Sequence, residues 1–378
     1  MTDGTDHHLN APSSARQTGL ILLVVGVLML FITALLAPRP VTALSSLPKV
    51  YGINLAGAEW NETALPGVIH RDYLYPADTK RSAYFAGQGL TLVRVPFRWE
   101  RLQPKAHQPL SKLDVAGLRS VLDIAALNHQ HVILVVQNFG RYYNDALTTN
   151  DLSKFADLFT RLSQEFRTHP ALVGYELMNE PHDLSGGSAT WAALAQAATN
   201  AIRKVDKTVW ILIPGYHWQT ASTWRTYNEN LDINDGSGRL LYAAHQYFDA
   251  DLSGRHAHSY NSDLDSNGKL PHPNIRVDRL KPFTDWLAAK GFRGIVTEYG
   301  IPNYDGDSDP VNQWDTVLEN FLQAVDVNPN LLGGTYWAAG SWWGSYPLSV
   351  EPGWSLTNSS VPIPRPQMAV LAQYPSHN

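Results

Sequence analysis

The chain has 378 residues, a formal net charge of −5 at pH 7 and no basic run along its length. This balance excludes nucleic acid as an expected partner, because nucleic-acid binding needs clustered Lys and Arg. The complete lack of cysteine excludes disulfides, thiolate zinc sites and thiol nucleophiles, whereas the 12 Trp and 17 Tyr offer flat faces that suit sugar rings.

An uncharged apolar segment, residues 19–37, stands between a polar segment, residues 1–18, and a Pro-containing linker, residues 38–48. Nineteen apolar residues can span a bilayer as a helix, so we expect a membrane anchor there. A cleavable signal peptide is the alternative, because residues 41–43 (VTA) offer a small-residue cleavage site. We therefore expect an exported protein: anchored and facing the periplasm or the outside, or secreted if the segment is cleaved. Residues 49–378 form the predicted folded domain.

From residue 49 onward, apolar strand-like runs alternate with stretches of helical periodicity. The pattern predicts strands at residues 50–55, 90–96, 131–138, 171–180, 209–214, 240–245, 294–298 and 331–337. It predicts helices at residues 83–88, 113–128, 152–167, 191–205, 277–290 and 314–325, and a short helix before the sixth strand. Eight such units predict an α/β fold, a single parallel (β/α)8 TIM barrel. An open doubly wound sheet is the alternative, but no Gly-rich phosphate loop follows the first strand.

Polar residues stand at the predicted carboxyl ends of these strands, which is where barrels place their chemistry. In YELMNEP, residues 175–181, the proline ends the strand directly after Asn179 and Glu180. A second glutamate, Glu298, ends the seventh strand. Two facing carboxyls are what glycoside hydrolysis requires, one protonated to help the leaving group and one ionised. Arg94 on the second strand could keep one carboxylate ionised, although a purely stabilising ion pair is the alternative.

Five motifs in this order resemble glycoside hydrolase family 5, the cellulase family A, and its endo-β-1,4-glucanase branch most of all: VRVPF (93–97), LMNEPHD (177–183), AHQYF (244–248), TEYG (297–300) and TYWAAG (335–340). The resemblance implies a retaining double displacement that cleaves internal β-1,4 bonds of cellulose-like glucans, without a cofactor. It implies that Glu180 is the general acid/base and Glu298 the nucleophile.

The resemblance also implies supporting roles for other strand-end residues. Asn179 would bind the sugar 2-hydroxyl, Arg94 would support the nucleophile and Tyr247 would donate a hydrogen bond to it. His245 would lie near the acid/base, and Trp337 would stack under the sugar. His182 and Trp218 match cleft positions more loosely.

One position departs from the family pattern. The chain has Gln137 and Asn138 where the family usually has a His-Asn pair. Glutamine can hydrogen-bond a sugar hydroxyl but cannot titrate, which bears on substrate preference and catalytic efficiency.

Other functions stay open at this point. The fold could act on mannan, xyloglucan or an exopolysaccharide made by the cell itself, or it could be a binding protein without catalysis. The presence of both glutamates argues against the last. We expect no metal, because His217, His256, His258 and His272 match no zinc-ligand spacing. We expect a monomer whose partner is a polysaccharide or oligosaccharide.

Overall fold

The computed structural model describes residues 49–264, 268–269, 275–303, 313–358 and 360–377. The predicted anchor or signal segment lies outside these described residues, as does His272. Among the helices of the described ranges, none has both the length and the apolar character needed to cross a bilayer.

Eight parallel strands form the centre of the fold. They are β1 (Val50–Leu55), β2 (Leu92–Phe97), β3 (His131–Val136), β4 (Leu172–Glu176), β5 (Trp210–Pro214), β6 (Leu240–His245), β7 (Gly294–Glu298) and β8 (Leu331–Ala339). Their hydrogen bonds close a ring in the order β1-β8-β7-β6-β5-β4-β3-β2. Runs such as HVILVV in β3 are apolar throughout, because the barrel interior covers one face and the helices cover the other. The predicted (β/α)8 barrel is confirmed.

A helix follows each strand in the described chain. The helices are α1 (Thr79–Gly87), α2 (Lys112–Leu127), α3 (Leu152–Phe166), α4 (Gly187–Val205), α5 (Trp224–Asn228), α6 (Ile275–Lys290), α7 (Gln313–Val327) and α8 (Met368–Leu371), and a short extra helix (Trp99–Leu102) follows β2. Amphipathic spacing explains the packing of α3, which buries one apolar side against the barrel through Phe155, Leu158, Phe159, Leu162 and Phe166.

In the described residues after β8, the chain packs onto the barrel and buried apolar side chains there join the barrel core. Met368 and Leu371 of α8 belong to the same apolar core as the barrel strands. A two-stranded hairpin, Gly353–Trp354 with Pro362–Ile363, precedes α8. The sequence pattern did not predict this hairpin, because each of its strands has only two residues.

The third and fourth strands end earlier than predicted, and this places four site residues in loops. β3 ends at Val136, directly before Gln137 and Asn138, and β4 ends at Glu176. Glu180 has φ of 45°, in the left-handed region, so the extended conformation cannot continue to it. The carboxyl-end loops, and not the strands, therefore carry these side chains.

Candidate active site

Arg94 is the hub of a buried polar network at the carboxyl end of the barrel. Its Nε and Nη2 donate to the two carboxylate oxygens of Glu176, at 2.6 and 3.2 Å. Its Nη1 donates to Asn54 Oδ1 at 2.7 Å and to Glu298 Oε1 at 2.8 Å. Its Nη2 also donates to Asn179 Oδ1 at 2.7 Å, so every guanidinium N–H group has an acceptor. One fully buried cation on β2 thus connects the carboxyl ends of β1, β4 and β7 and holds two carboxylates.

Glu298 ends β7 and lies between two donors. Arg94 binds Oε1, and the Tyr247 phenol donates to Oε2 at 2.9 Å. Burial raises the pKa of the Glu298 carboxyl, while His245, Arg94 and the Tyr247 hydrogen bond oppose that rise. Donors on both oxygens favour the ionised form and hold the carboxylate in one orientation.

Glu180 lies in a different environment. Its side chain is 21% exposed, and Oε1 lies 2.8 Å from His245 Nδ1. Burial raises the pKa of the Glu180 carboxyl to about 7, against the opposing charges of Arg94 and His182. Burial also lowers the pKa of His245 to about 4, so the imidazole is neutral at pH 7. The carboxyl can therefore carry a proton near neutral pH and share it with the neutral ring.

The two glutamates approach closely. One oxygen of Glu180, Nδ1 of His245 and one oxygen of Glu298 all lie within 4.8 Å of one another. Inverting glycosidases separate their carboxyls by about 6.5–9.5 Å, and retaining ones by only about 5–5.5 Å. The observed oxygen–oxygen separation, within 4.8 Å, is shorter than the inverting range and agrees with a retaining site.

The same three groups could provide ligands for a divalent metal ion. Carboxylate and imidazole suit several such ions. The Arg94 guanidinium, 2.8 Å from Glu298, already neutralises charge there and opposes a second cation. The expectation that the site uses no metal stays a prediction.

A cavity of about 500 Å³ opens beside Glu180 and His245. The loops after β5 and β6 line it, through His217, Trp218, Thr220, Thr223, Tyr247, Asp251, Leu252 and Ser253. Trp218 is 40% exposed and stacks on His182 with ring centroids 4.6 Å apart. His182 Nδ1 donates to the backbone oxygen of Glu180 at 2.8 Å. Both loosely matched residues therefore lie at the cleft.

Aromatic residues of β8 and of the loops after β1 and β8 form a second wall. Trp337 meets Trp343 edge to face at 5.7 Å, and Trp343 packs against Trp60 at 4.7 Å and stacks on Tyr346 at 4.4 Å. Trp342 packs on Trp60 and keeps 38% of its surface exposed. Burial and the Glu298 charge both raise the pKa of Tyr346, so this wall lies near the glutamates, where aromatic rings offer apolar faces.

Gln137 and Asn138 differ in their surroundings. Gln137 Oε1 is buried and has no hydrogen-bond partner among the described residues. Asn138 accepts from the Trp99 backbone N–H at 2.8 Å and donates to both oxygens of Glu100 at 2.8 Å. Gln137 therefore has an acceptor oxygen without a partner among the described residues. Asn138 instead holds the start of the Trp99–Leu102 helix. A substrate contact for Asn138 stays a prediction.

Four residues of the network were not predicted as site residues from the sequence: Asn54, Glu176, Gln219 and Thr297. A signal existed for Glu176, because a charged residue within an apolar barrel strand needs a buried partner. Asn54 within VYGINL is a weaker signal of the same kind. Gln219 lies in a loop, and nothing local in the sequence points to it.

A closed barrel with two close carboxyls of unequal environment defines a retaining glycoside hydrolase architecture. The family model described as cellulase, glycosyl hydrolase family 5, matches residues 53–341. A probable endo-β-1,4-glucanase B of Neosartorya fischeri is 31% identical over 312 residues, which cover 82% of this chain and 88% of the relative. The chain therefore belongs to glycosyl hydrolase family 5, and the resemblance drawn from the motifs is confirmed.

Further relatives agree with this assignment. Endoglucanase 1 of Saitozyma flava is 31% identical over 349 residues, covering 89% of this chain and 94% of that protein. The Pseudomonas stutzeri endoglucanase Cel5A, solved in complex with cellobiose, is 35% identical with a TM-score of 0.75. The match covers 87% of this chain and 92% of that structure.

Proposed function

We propose that this chain is a retaining endo-β-1,4-glucanase in which Glu180 is the general acid/base and Glu298 the nucleophile. The observation that carries the proposal is the pair of carboxyls, with oxygens within 4.8 Å but unequal surroundings. Glu298 is held by Arg94 and Tyr247, and Glu180 has its pKa raised to about 7. Such a division is what double displacement needs.

In the first step Glu298 attacks the anomeric carbon while Glu180 gives its proton to the glycosidic oxygen. The bond from the anomeric carbon to that oxygen breaks, and the leaving sugar departs as an alcohol. Arg94 and Tyr247 hold the attacking carboxylate ionised and oriented before attack. Neutral His245, 2.8 Å from Glu180, leaves the proton on the carboxyl that must donate it.

In the second step Glu180, now ionised, takes a proton from a water that attacks the anomeric carbon of the glycosyl-enzyme. The ester bond to Glu298 breaks and the sugar leaves with its original configuration. Asn179 supports both steps: Arg94 occupies its Oδ1, so its amide NH2 is the end that can donate to a sugar 2-hydroxyl.

The cleft suits a polymeric glucan. Trp218 on one side and the Trp337–Trp343 wall on the other offer faces for successive sugar rings. The relatives are named as endo-β-1,4-glucanases, and one similar structure holds cellobiose. Gln137, with its unpartnered Oε1, would accept from a sugar hydroxyl. The family usually has histidine at this position, so the glutamine could change the substrate preference. Mannan, xyloglucan and cell-made exopolysaccharide are therefore the alternative substrates to test.

We further propose that the protein is exported and that residues 19–37 direct it there, as an anchor or a cleaved signal. N-terminal sequencing of the protein purified from membrane and culture fractions distinguishes the two. An intact terminus in the membrane fraction supports the anchor, and a terminus near residue 44 supports cleavage.

The test of activity is release of reducing ends from a panel of carboxymethyl-cellulose, barley β-glucan, glucomannan, galactomannan, xyloglucan and xylan. Glu298→Gln serves as the blank, since it keeps the shape but removes the nucleophile. Activity on the β-1,4-glucans that disappears in the blank supports the proposal. Equal activity in Glu298→Gln would contradict the role of Glu298 as the nucleophile. Activity on mannan or xyloglucan alone would contradict β-1,4-glucan as the substrate.

A further inference from the structure

Glu180 has a strained backbone that needs support. Its φ of 45° lies in the left-handed region, which side chains with a Cβ rarely adopt. The residues on either side are held by main-chain bonds, from Asn179 N to Val136 O at 2.7 Å and from His217 N to Pro181 O at 2.8 Å. The Glu180 N–H itself donates to a side chain, Oε1 of Gln219, at 3.2 Å.

Gln219 is fully buried and reaches across the barrel. Its Nε2 donates to Glu176 Oε1 at 2.8 Å and to Thr297 Oγ1 at 3.2 Å. Glu176 in turn binds Arg94, the cation that holds Glu298. The amide orientation is determined, because a carboxylate needs the NH2 end and a backbone N–H needs the oxygen end. The side chain thus links the Glu180 peptide to the network behind the nucleophile.

The backbone of Gln219 makes a second link to the same pair. Its carbonyl oxygen accepts from the His245 N–H at 2.8 Å. His245 Nδ1 lies 2.8 Å from the Glu180 carboxyl. One residue therefore holds both the peptide N–H of Glu180 and the main chain of the histidine whose ring contacts the Glu180 carboxyl.

From this geometry we infer that Gln219 is a positioning residue for proton donation by Glu180. It contacts Glu180, Glu176, Thr297 and His245, and of the two proposed catalytic glutamates it contacts only Glu180 directly. The inference rests on the proposed function of Glu180 as the acid/base. A displaced acid slows only the departure of leaving groups that need a proton, so the effect depends on the leaving group.

The test compares two substrates in the full-length protein. Cellotetraose releases a sugar alcohol and needs the proton, whereas 2,4-dinitrophenyl β-cellobioside releases a stable phenolate without one. The measured quantity is kcat/KM, which reports the first bond cleavage. Gln219→Met keeps the volume and removes the amide, and a misplacement near 1 Å costs about 10²-fold in rate. We expect a loss of about 10²-fold on cellotetraose and little change on the dinitrophenyl substrate.

Gln130→Met is the matched control. Gln130 is also buried and also bridges two elements, accepting from Ser82 Oγ at 2.6 Å and donating to Leu90 O at 3.2 Å. It lies at the start of β3, at the opposite end of the barrel from the site. We expect the same kcat/KM ratio between the two substrates as in the unaltered protein.

Glu180→Ala and the double variant complete the design. Glu180→Ala must itself show the leaving-group dependence, and if it does not, the proposed acid/base role fails. If it does, Gln219→Met should cost nothing further in the Glu180→Ala background, because positioning acts only through Glu180. Equal losses on both substrates, additive losses in the double variant, or no loss at all would overturn the inference. If Gln219→Met does not fold, the same kcat/KM comparison is made with Gln219→Asn, whose amide is one methylene too short to reach the Glu180 N–H.

Discussion

Removing the Glu180 charge should stabilise the protein in a pH-dependent way. The pKa of Glu180 is about 7 in the folded chain against an ordinary value of 4.5, because burial disfavours the ionised form. Between these values the folded state binds more protons than the unfolded state, so stability falls as pH rises. At about 1.36 kcal/mol per unit, the ionised carboxyl costs about 3 kcal/mol above pH 7 and nothing below pH 4.

Glu180→Gln cannot ionise and should avoid this cost. For a domain of about 330 residues, unfolding entropy near 2.1 cal/mol/K per residue converts 3 kcal/mol into a melting-temperature gain of about 4 °C. Calorimetric melting at pH 4 and pH 8 checks this, with the gain expected only at pH 8. Glu165→Gln, which removes a half-exposed partner of Arg119, should change little at either pH. A gain of equal size at both pH values, or a loss at pH 8, would refute the reasoning.

Three further predictions concern the same site. First, kcat/KM on cellotetraose should fall as pH rises through about 7, since Glu180 must be protonated; a flat profile to pH 9 contradicts this. Second, Tyr247→Phe removes a donor that lowers the pKa of Glu298. The acid limb of the profile should then move to higher pH, with a loss of about 10- to 100-fold in plateau kcat/KM, and an unmoved limb argues against the hydrogen bond. Third, Arg94→Lys should lower stability by about 3–5 kcal/mol in urea unfolding, because one ammonium cannot match five directed donors. A midpoint equal to that of the unaltered protein would show that the buried carboxylates find other partners.

The local sequence was sufficient for the barrel strands because each is a short apolar run ended by a polar or proline residue. β1, β6 and β7 were predicted with the bounds that the structure has. Helix starts were predicted less accurately. Helix α4 begins at Gly187, four residues before the predicted start, because glycine and serine precede its alanine-rich part. The predicted end of β4 at Glu180 was also wrong, because the strand ends at Glu176. The left-handed φ of Glu180 depends on contacts that are distant in sequence.

By itself the sequence predicted the family, the barrel and the candidate pair of glutamates, because motifs and their order are local properties of the chain. The tertiary structure decided how those carboxyls differ. Glu298 is held between Arg94 and Tyr247, and Glu180 beside neutral His245, through contacts between residues from separate strands. Gln219 has its role only because the loop after β5 folds back onto β4 and β7. Electrostatics and hydrogen bonding depend on distance in space, and the closed ring together with its carboxyl-end loops sets those distances.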